Sequence, residues 1–140
     1  MAKQNFTINF DGYRRDEHKS GLPSKSGIYC VYTCVHNAQK NTVALKKLLY
    51  IGKADNINDR LANHERLPDW KKRLQPGQVL CYSYGEIGPD ESERCEAAMI
   101  FEHQPPENTD CKQSFSYDET TISLTGKTAL LTTRFTVSRT

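Results

Sequence analysis

Gly27-Ile28-Tyr29-Cys30-Val31-Tyr32 and Leu48-Leu49-Tyr50-Ile51-Gly52-Lys53 decide how the rest of the chain is read. Each stretch carries a glycine, an isoleucine and a tyrosine, in opposite order, inside an apolar run. Tyrosine and the β-branched residues favour a pleated, half-buried surface, so both stretches read as strands. Pro23-Ser24-Lys25-Ser26 forms a turn before the first, and the polar residues 35–47 read as the loop of a β-hairpin joining the two. Taken alone, both tyrosines would suit the core of a plain hairpin.

The length of 140 residues fits one domain, since domains commonly run to about 100–150 residues. No apolar run approaches the roughly 20 residues that cross a bilayer, and the N-terminus lacks a secretory apolar segment. The expectation is a soluble, cytoplasmic protein with no membrane partner. Cys30, Cys34, Cys81, Cys95 and Cys111 form an odd set without a CxxC pair, so free thiols in a reducing compartment are expected. Cys30 and Cys34 offer two corners of a metal site, but no matching second pair exists. The net charge of +2 does not by itself announce a nucleic-acid binder. Its distribution is uneven: residues 46–73 hold eight Lys and Arg against four acids, and residues 86–110 hold eight acids against Arg94. Such neighbours suit cations and a metal ion around one phosphate, and equally suit two solvated faces.

Around the hairpin, residues 4–10 alternate apolar and polar and predict a strand. Residues 13–26 read as a surface loop. After Lys53, Asp55 or Asn56 offers an N-cap, Ile57 and Leu61 share an apolar stripe, and Arg60 and His64 are spaced to project from one helix face. A helical turn is expected near residues 70–74 and a strand over 78–84. Asp90-Glu91-Ser92-Glu93 has the outline of a capping box, predicting a helix to about His103 that Pro105-Pro106 stops. Within it Glu96 sits in the run Cys95-Glu-Ala-Ala-Met-Ile-Phe101, where a carboxylate must face solvent or meet a cation. Residues 121–125 and 130–137 read as a second hairpin. The fold class expected is α/β: a small antiparallel-to-mixed sheet flanked by helices, extended by the N-terminal strand and the C-terminal hairpin.

The two tripeptides, followed by Arg60, His64, Glu96 and Asn108 in that order, resemble the GIY-YIG nuclease family. That family places an arginine in the helix after the second motif and a tyrosine or histidine one turn later. It also places a glutamate on a later helix and an asparagine just beyond that helix's proline. The frame Glu96-Ala-Ala-Met-Ile-x-x-x-x-Pro-x-x-Asn108 fits, and Lys53 follows the second motif as in many members. The resemblance spans about residues 27–108. The stretch from Cys30 to Leu49 is about twice the family's commonest spacing, an insertion that costs little at a hairpin tip because loop-closure entropy grows slowly with length.

The resemblance implies a divalent-metal-dependent endonuclease that hydrolyses phosphodiester bonds in DNA by a one-metal mechanism. It implies Tyr29 as general base, Tyr50 as its positioning partner, and a catalytic set completed by Arg60, His64 and Glu96. Lys53 and Asn108 would position the phosphate and the metal side. The residue types suit that chemistry in their own right. Glu96 offers an oxygen ligand to one Mg²⁺ or Mn²⁺. Arg60 suits a bidentate grip on phosphate. Tyr29, with an ordinary pKa of about 10, needs nearby cations to act as a base. His64 titrates near neutrality and could relay or accept the proton. The alternatives are a catalytically silent nucleic-acid-binding module on the same fold, and a nuclease acting on RNA. A homodimer or a partner protein would supply specificity that so short a chain lacks.

Overall fold

Residues 2–140, described by a computed structural model, build strand β1 (Gln4–Arg15), a 3-10 helix (Asp16–Gly21), β2 (Gly27–Asn37) and β3 (Thr42–Ala54). Helices α1 (Ile57–Ala62) and α2 (Leu67–Lys71), strand β4 (Val79–Glu86) and helix α3 (Pro89–His103) follow. Strands β5 (Thr120–Gly126) and β6 (Arg134–Val137) end the fold. The strands form one mixed sheet in the order β3-β2-β4-β1-β5-β6, antiparallel except for the β1–β5 pair. The N-terminal strand therefore lies inside the sheet, and the C-terminal hairpin extends it at the end opposite β3. No described helix is long and apolar enough to cross a membrane.

The near-continuous apolar run of β2 is explained by what lies on its two faces. Ile28, Cys30 and Tyr32 point into a cluster with Ala97, Ala98 and Met99 of α3 and with Ile8, Phe10 and Phe135. Tyr29 and Val31, with the opposite parity, point into a second cluster with Ile57, Leu61, Trp70 and Tyr82. A strand covered on both faces loses the apolar–polar alternation of a half-exposed one. Ile57 and Leu61 hold short helix α1 to that second face, each burial contributing about 1.5–3 kcal/mol. Asn56 caps this helix by accepting a hydrogen bond from the Asp59 N–H at 3.1 Å. Helix α3 begins differently from expectation: its N-cap is Gly88, with Pro89 in the first turn, and Ser92 Oγ donates to the Pro89 carbonyl at 3.1 Å instead of taking part in a capping box. It ends where Gln104 turns to φ 51° ahead of the two prolines.

Two expectations are corrected here. Residues 35–47 are not a loop: β2 and β3 stay paired out to Asn37 and Thr42, through two register shifts. The tip closes tightly because Asn37 Oδ1 accepts the N–H groups of Gln39 and Lys40, both at 3.1 Å, and Asn41 takes a left-handed conformation. Nor are all five cysteines free. Cys34 on β2 and Cys81 on β4 form a disulfide with Cα atoms 6.3 Å apart. Strand adjacency creates that pair, since Tyr32 faces Cys81 and Cys34 faces Val79, and a separation of 47 residues hides it. Cys30 and Cys95 are free and buried, and Cys111 is free and exposed. With Cys34 bonded, the two-corner metal site is removed.

Gly27 pairs with Glu86 of β4, and a methyl group there would overlap the Gly85 carbonyl and press on Ile57. Backbone on one side and a packed core side chain on the other leave little room to relax. Gly27→Ala is expected to cost about 1–3 kcal/mol, read as a lower urea midpoint with an unchanged slope.

Candidate active site

Tyr29 and Tyr50 lie on neighbouring strands at diagonal positions, because Tyr29 pairs with Gly52 and Val31 with Tyr50. Their rings stack with centroids 6.2 Å apart and planes 27° apart. The phenol of Tyr29 lies directly over Gly52, where any Cβ would overlap it. The glycine of the second tripeptide is thus required by the tyrosine of the first. His64 meets both rings edge-on, at 5.9 and 5.6 Å, and Trp70 of α2 backs His64 at 4.4 Å. Trp70 is fully buried, so these four rings form the inner wall of the site.

Hydrogen bonding fixes how His64 is protonated. Its Nδ1 accepts the Arg66 backbone N–H at 3.0 Å, and its Nε2 lies 2.7 Å from Tyr29 Oη. Burial first, and then the Arg60 charge, lower the His64 pKa to about 4, so the ring is neutral at pH 7. A neutral ring that accepts at Nδ1 carries its proton on Nε2 and donates it to Tyr29 Oη. The sequence suggested that His64 relays or accepts a proton. Here it is a fixed donor with both nitrogens engaged. Its route into the site also differs: α1 ends at Ala62, and Asn63, at φ −139° and ψ 61°, breaks the helix before His64. The spacing of Arg60 and His64 is therefore not that of a shared helical face. Loop geometry and the Tyr29 bond bring them together.

Arg60, on α1, donates through both guanidinium arms to Glu65, at 2.5 and 2.7 Å. The fork suited to a phosphate is closed on a carboxylate of the chain itself. Glu96, on α3, is partly buried and opens into a cleft of about 600 Å³ together with Tyr50, Lys53, Glu65, Arg66 and Asn108. Burial is the main influence raising the Glu96 pKa, opposed by the Lys53 ammonium and backbone N–H and reinforced by Glu93 and Asp110. Tyr29 is raised by burial above all, then by Tyr50 and Glu96, while Arg60 works in the opposite direction. Tyr50 is raised by burial and by Glu96, and lowered by Arg66 and Arg60.

Asn108 lines the cleft, but its amide is engaged elsewhere. Oδ1 accepts the Ile51 N–H and Nδ2 donates to the Ile51 carbonyl, both at 2.9 Å, as a neighbouring strand would. Asn108 thereby fixes the strand at the residue between Tyr50 and Gly52. Among the described residues, no group of three or more His, Cys, Asp and Glu is arranged to hold a metal ion, leaving Glu96 as the ligand candidate.

Sequence reasoning passed over Glu65 and Arg66. Arg66 places its guanidinium 5.6 Å over the Tyr50 ring, bonds Asp69 at 3.0 Å, and bonds the carbonyl and carboxylate of Glu107 at 2.7 and 2.9 Å. Arg73 closes the same carboxylate from α2's far end at 2.6 Å. The Arg66/Asp69 spacing was the available signal, but nothing local pointed to Glu107. Compared with known proteins, the chain matches no family model, and no curated protein or solved structure is significantly similar to it.

The neutral His64 has a consequence for stability. Between about pH 6.5 and pH 4 the unfolded imidazole binds a proton that the folded one refuses, so stability falls as pH falls through that window. Wild type should lose on the order of 2 kcal/mol more than His64→Gln between pH 7.5 and pH 4, in urea titrations at the two pH values.

Proposed function

We propose that this cleft hydrolyses phosphodiester bonds in DNA, as a GIY-YIG-type endonuclease dependent on Mg²⁺ or Mn²⁺. The observation that carries the reading is convergence. Tyr50 and Lys53 from β3 and Glu96 from α3 line one cleft, Tyr29 from β2 and His64 from the loop beyond α1 pack against Tyr50, and Arg60 from α1 acts on the ionisation of both tyrosines. A structural core has no use for a partly buried carboxylate facing stacked phenols. The resemblance carried by the two tripeptides supports the same reading.

The residues fit a hard divalent cation. Glu96 is a single oxygen donor on an open cleft, with Glu93 and Asp110 close enough to raise its pKa, and hydrated ions of this kind need few protein ligands. When bound there, such an ion supplies Lewis-acid charge to the scissile phosphate and its leaving oxygen. The chain's own groups do the rest. Tyr29 in its phenolate form removes a proton from the attacking water, which forms the new P–O bond while the bond to the leaving 3′-oxygen breaks. By the resemblance, the products are a 5′-phosphate and a 3′-hydroxyl. The Nε2–H of His64 stabilises that phenolate, and Arg60 favours it, against burial and the charge of Glu96. Tyr50 holds the water side of the ring pair. Lys53 faces the phosphate from the strand end.

Arg60 is available to a phosphate only after Glu65 lets go. Incoming phosphate exchanges one charge-assisted fork for another, and the released carboxylate returns to solvent, where Glu65 is already largely exposed.

Two variants test the reading. With supercoiled and linear duplex DNA in Mg²⁺ or Mn²⁺, Glu96→Ala is expected to lower cleavage at least about a hundredfold while circular dichroism stays that of the wild type. Full activity in this variant, or preference for matched RNA in the wild type, removes the assignment as stated. Glu65→Gln should tighten DNA binding about two- to fivefold at low salt, the range expected for an exposed ion pair. Weaker binding would show that Glu65 supports Arg60 rather than competing for it.

A further inference from the structure

A second cleft, of about 620 Å³, opens between the tip of the β2–β3 hairpin and the end of β1. Its wall contains Arg14, Arg15, His18, His36 and Lys127, and no Asp or Glu among the described residues. Arg14 turns its guanidinium toward Gly21, and Arg15 bonds Glu17, which also stands 4.0 Å from His18 Nε2. The groups left for a ligand are therefore chiefly His36 of β2 and Lys127 just beyond β5, which line the same opening. Nε2 of His36 is buried and has no hydrogen-bond partner among the described residues. A buried imidazole nitrogen without a partner is costly, and a turn of the half-buried ring into the opening lets an anion there supply the missing bond. The cleft is also firmly built. Lys127 N–H donates to the Phe10 carbonyl at 2.8 Å, and Tyr13 packs edge-on against Tyr32 while its hydroxyl accepts the Ala129 N–H at 3.0 Å.

We propose that this cleft holds backbone phosphates of the nucleic acid being cut, at a distance from the scissile bond; the proposal rests on the nuclease reading. The charge of the wall selects an anion, and the volume is far larger than one phosphate fills. The hairpin joins the two clefts. Tyr50 and Thr42 are eight residues apart on β3, about 26 Å at roughly 3.3 Å per residue, or about eight nucleotide steps of duplex. Lys40, Lys46 and Lys47 are exposed along that arm. A duplex seated on the catalytic cleft and running along the arm arrives at His36 and Lys127 with its charged backbone.

The test compares Lys127→Glu, Lys127→Gln and His36→Ala with wild type, on duplexes of roughly 8 and 30 base pairs, by fluorescence anisotropy across salt concentrations and by cleavage rate. Expected for the long duplex is about tenfold weaker binding by Lys127→Glu, with the salt slope reduced by about one, and smaller losses for the other two. Cleavage of the short duplex should match wild type. Equal losses on both lengths, or unchanged binding of the long duplex by all three variants, overturns the second site and leaves the catalytic reading standing. A wild type that binds neither duplex overturns both. Thermal unfolding of each variant separates a lost contact from a lost fold.

Discussion

The hydrogen bond from His64 Nε2 to Tyr29 Oη is the contact on which the site depends. It spans 35 residues of sequence and joins a central strand to a loop that no regular element supports. For it to form, Tyr29 must lie flat over the second strand, which only a glycine at position 52 permits. His64 must also carry its proton on Nε2, which the Arg66 N–H enforces from the other side of the ring. Trp70 then backs the ring and excludes water. Each of these residues owes its place to the others. In a low-dielectric wall of this kind a satisfied polar pair is held firmly, and an unsatisfied one is costly.

The charges around this wall are balanced by competition. Burial drives Tyr29, Tyr50 and Glu96 toward their neutral forms, and Lys53, Arg60 and Arg66 oppose it from different sides. Glu65 stands outside the wall and takes up the Arg60 fork, so the Arg60 charge is neutralised within the chain. Arg66 is bound more thoroughly, to Asp69, Glu107 and the face of Tyr50, and it braces the cleft by tying α2 to the segment that carries Asn108. Two arginines six residues apart thus have different physical roles: one ion pair is exposed and exchangeable, the other is part of a half-buried network.

Short-range signals in the sequence were reliable where the structure is locally determined. The two tripeptides read as paired strands, Asp55 or Asn56 read as a cap, and the apolar stripe of Ile57 and Leu61 read as a buried helix face, because propensity and period act over a few residues. What failed depended on neighbours distant in sequence. The residues between the tripeptides are polar because β3 lies at the sheet edge and solvent reaches it, yet they remain strands. Polarity was taken for loop. The Cys34–Cys81 bond required knowing that β4 lies beside β2. The bond of Asn108 to Ile51, and the closing of Arg60 on Glu65, are side-chain choices for which spacing carries no signal. The capping box at residues 90–93 failed for another reason: Gly88-Pro89 had already set the helix start two residues earlier.

The outer edge of β3 shows how a single strand serves both ends of the molecule. At the site end its backbone is occupied: the Glu107 N–H bonds the Leu49 carbonyl at 2.9 Å and Asn108 closes on Ile51, so Tyr50 sits between two fixed points. Toward the tip, residues 42–47 have no further strand beside them. An unpaired edge invites pairing with another chain, and lysines at the edge are a common way to prevent it, since a second copy would bring like charges together. Lys46 and Lys47 stand at that place and are exposed. The same charges that discourage a strand from docking attract a polyanion, whose backbone offers no strand edge to pair with. Protection of the fold and recognition of a phosphate backbone are therefore compatible demands on these two side chains. A polar insertion in this hairpin can lengthen without exposing the protein to edge-to-edge association.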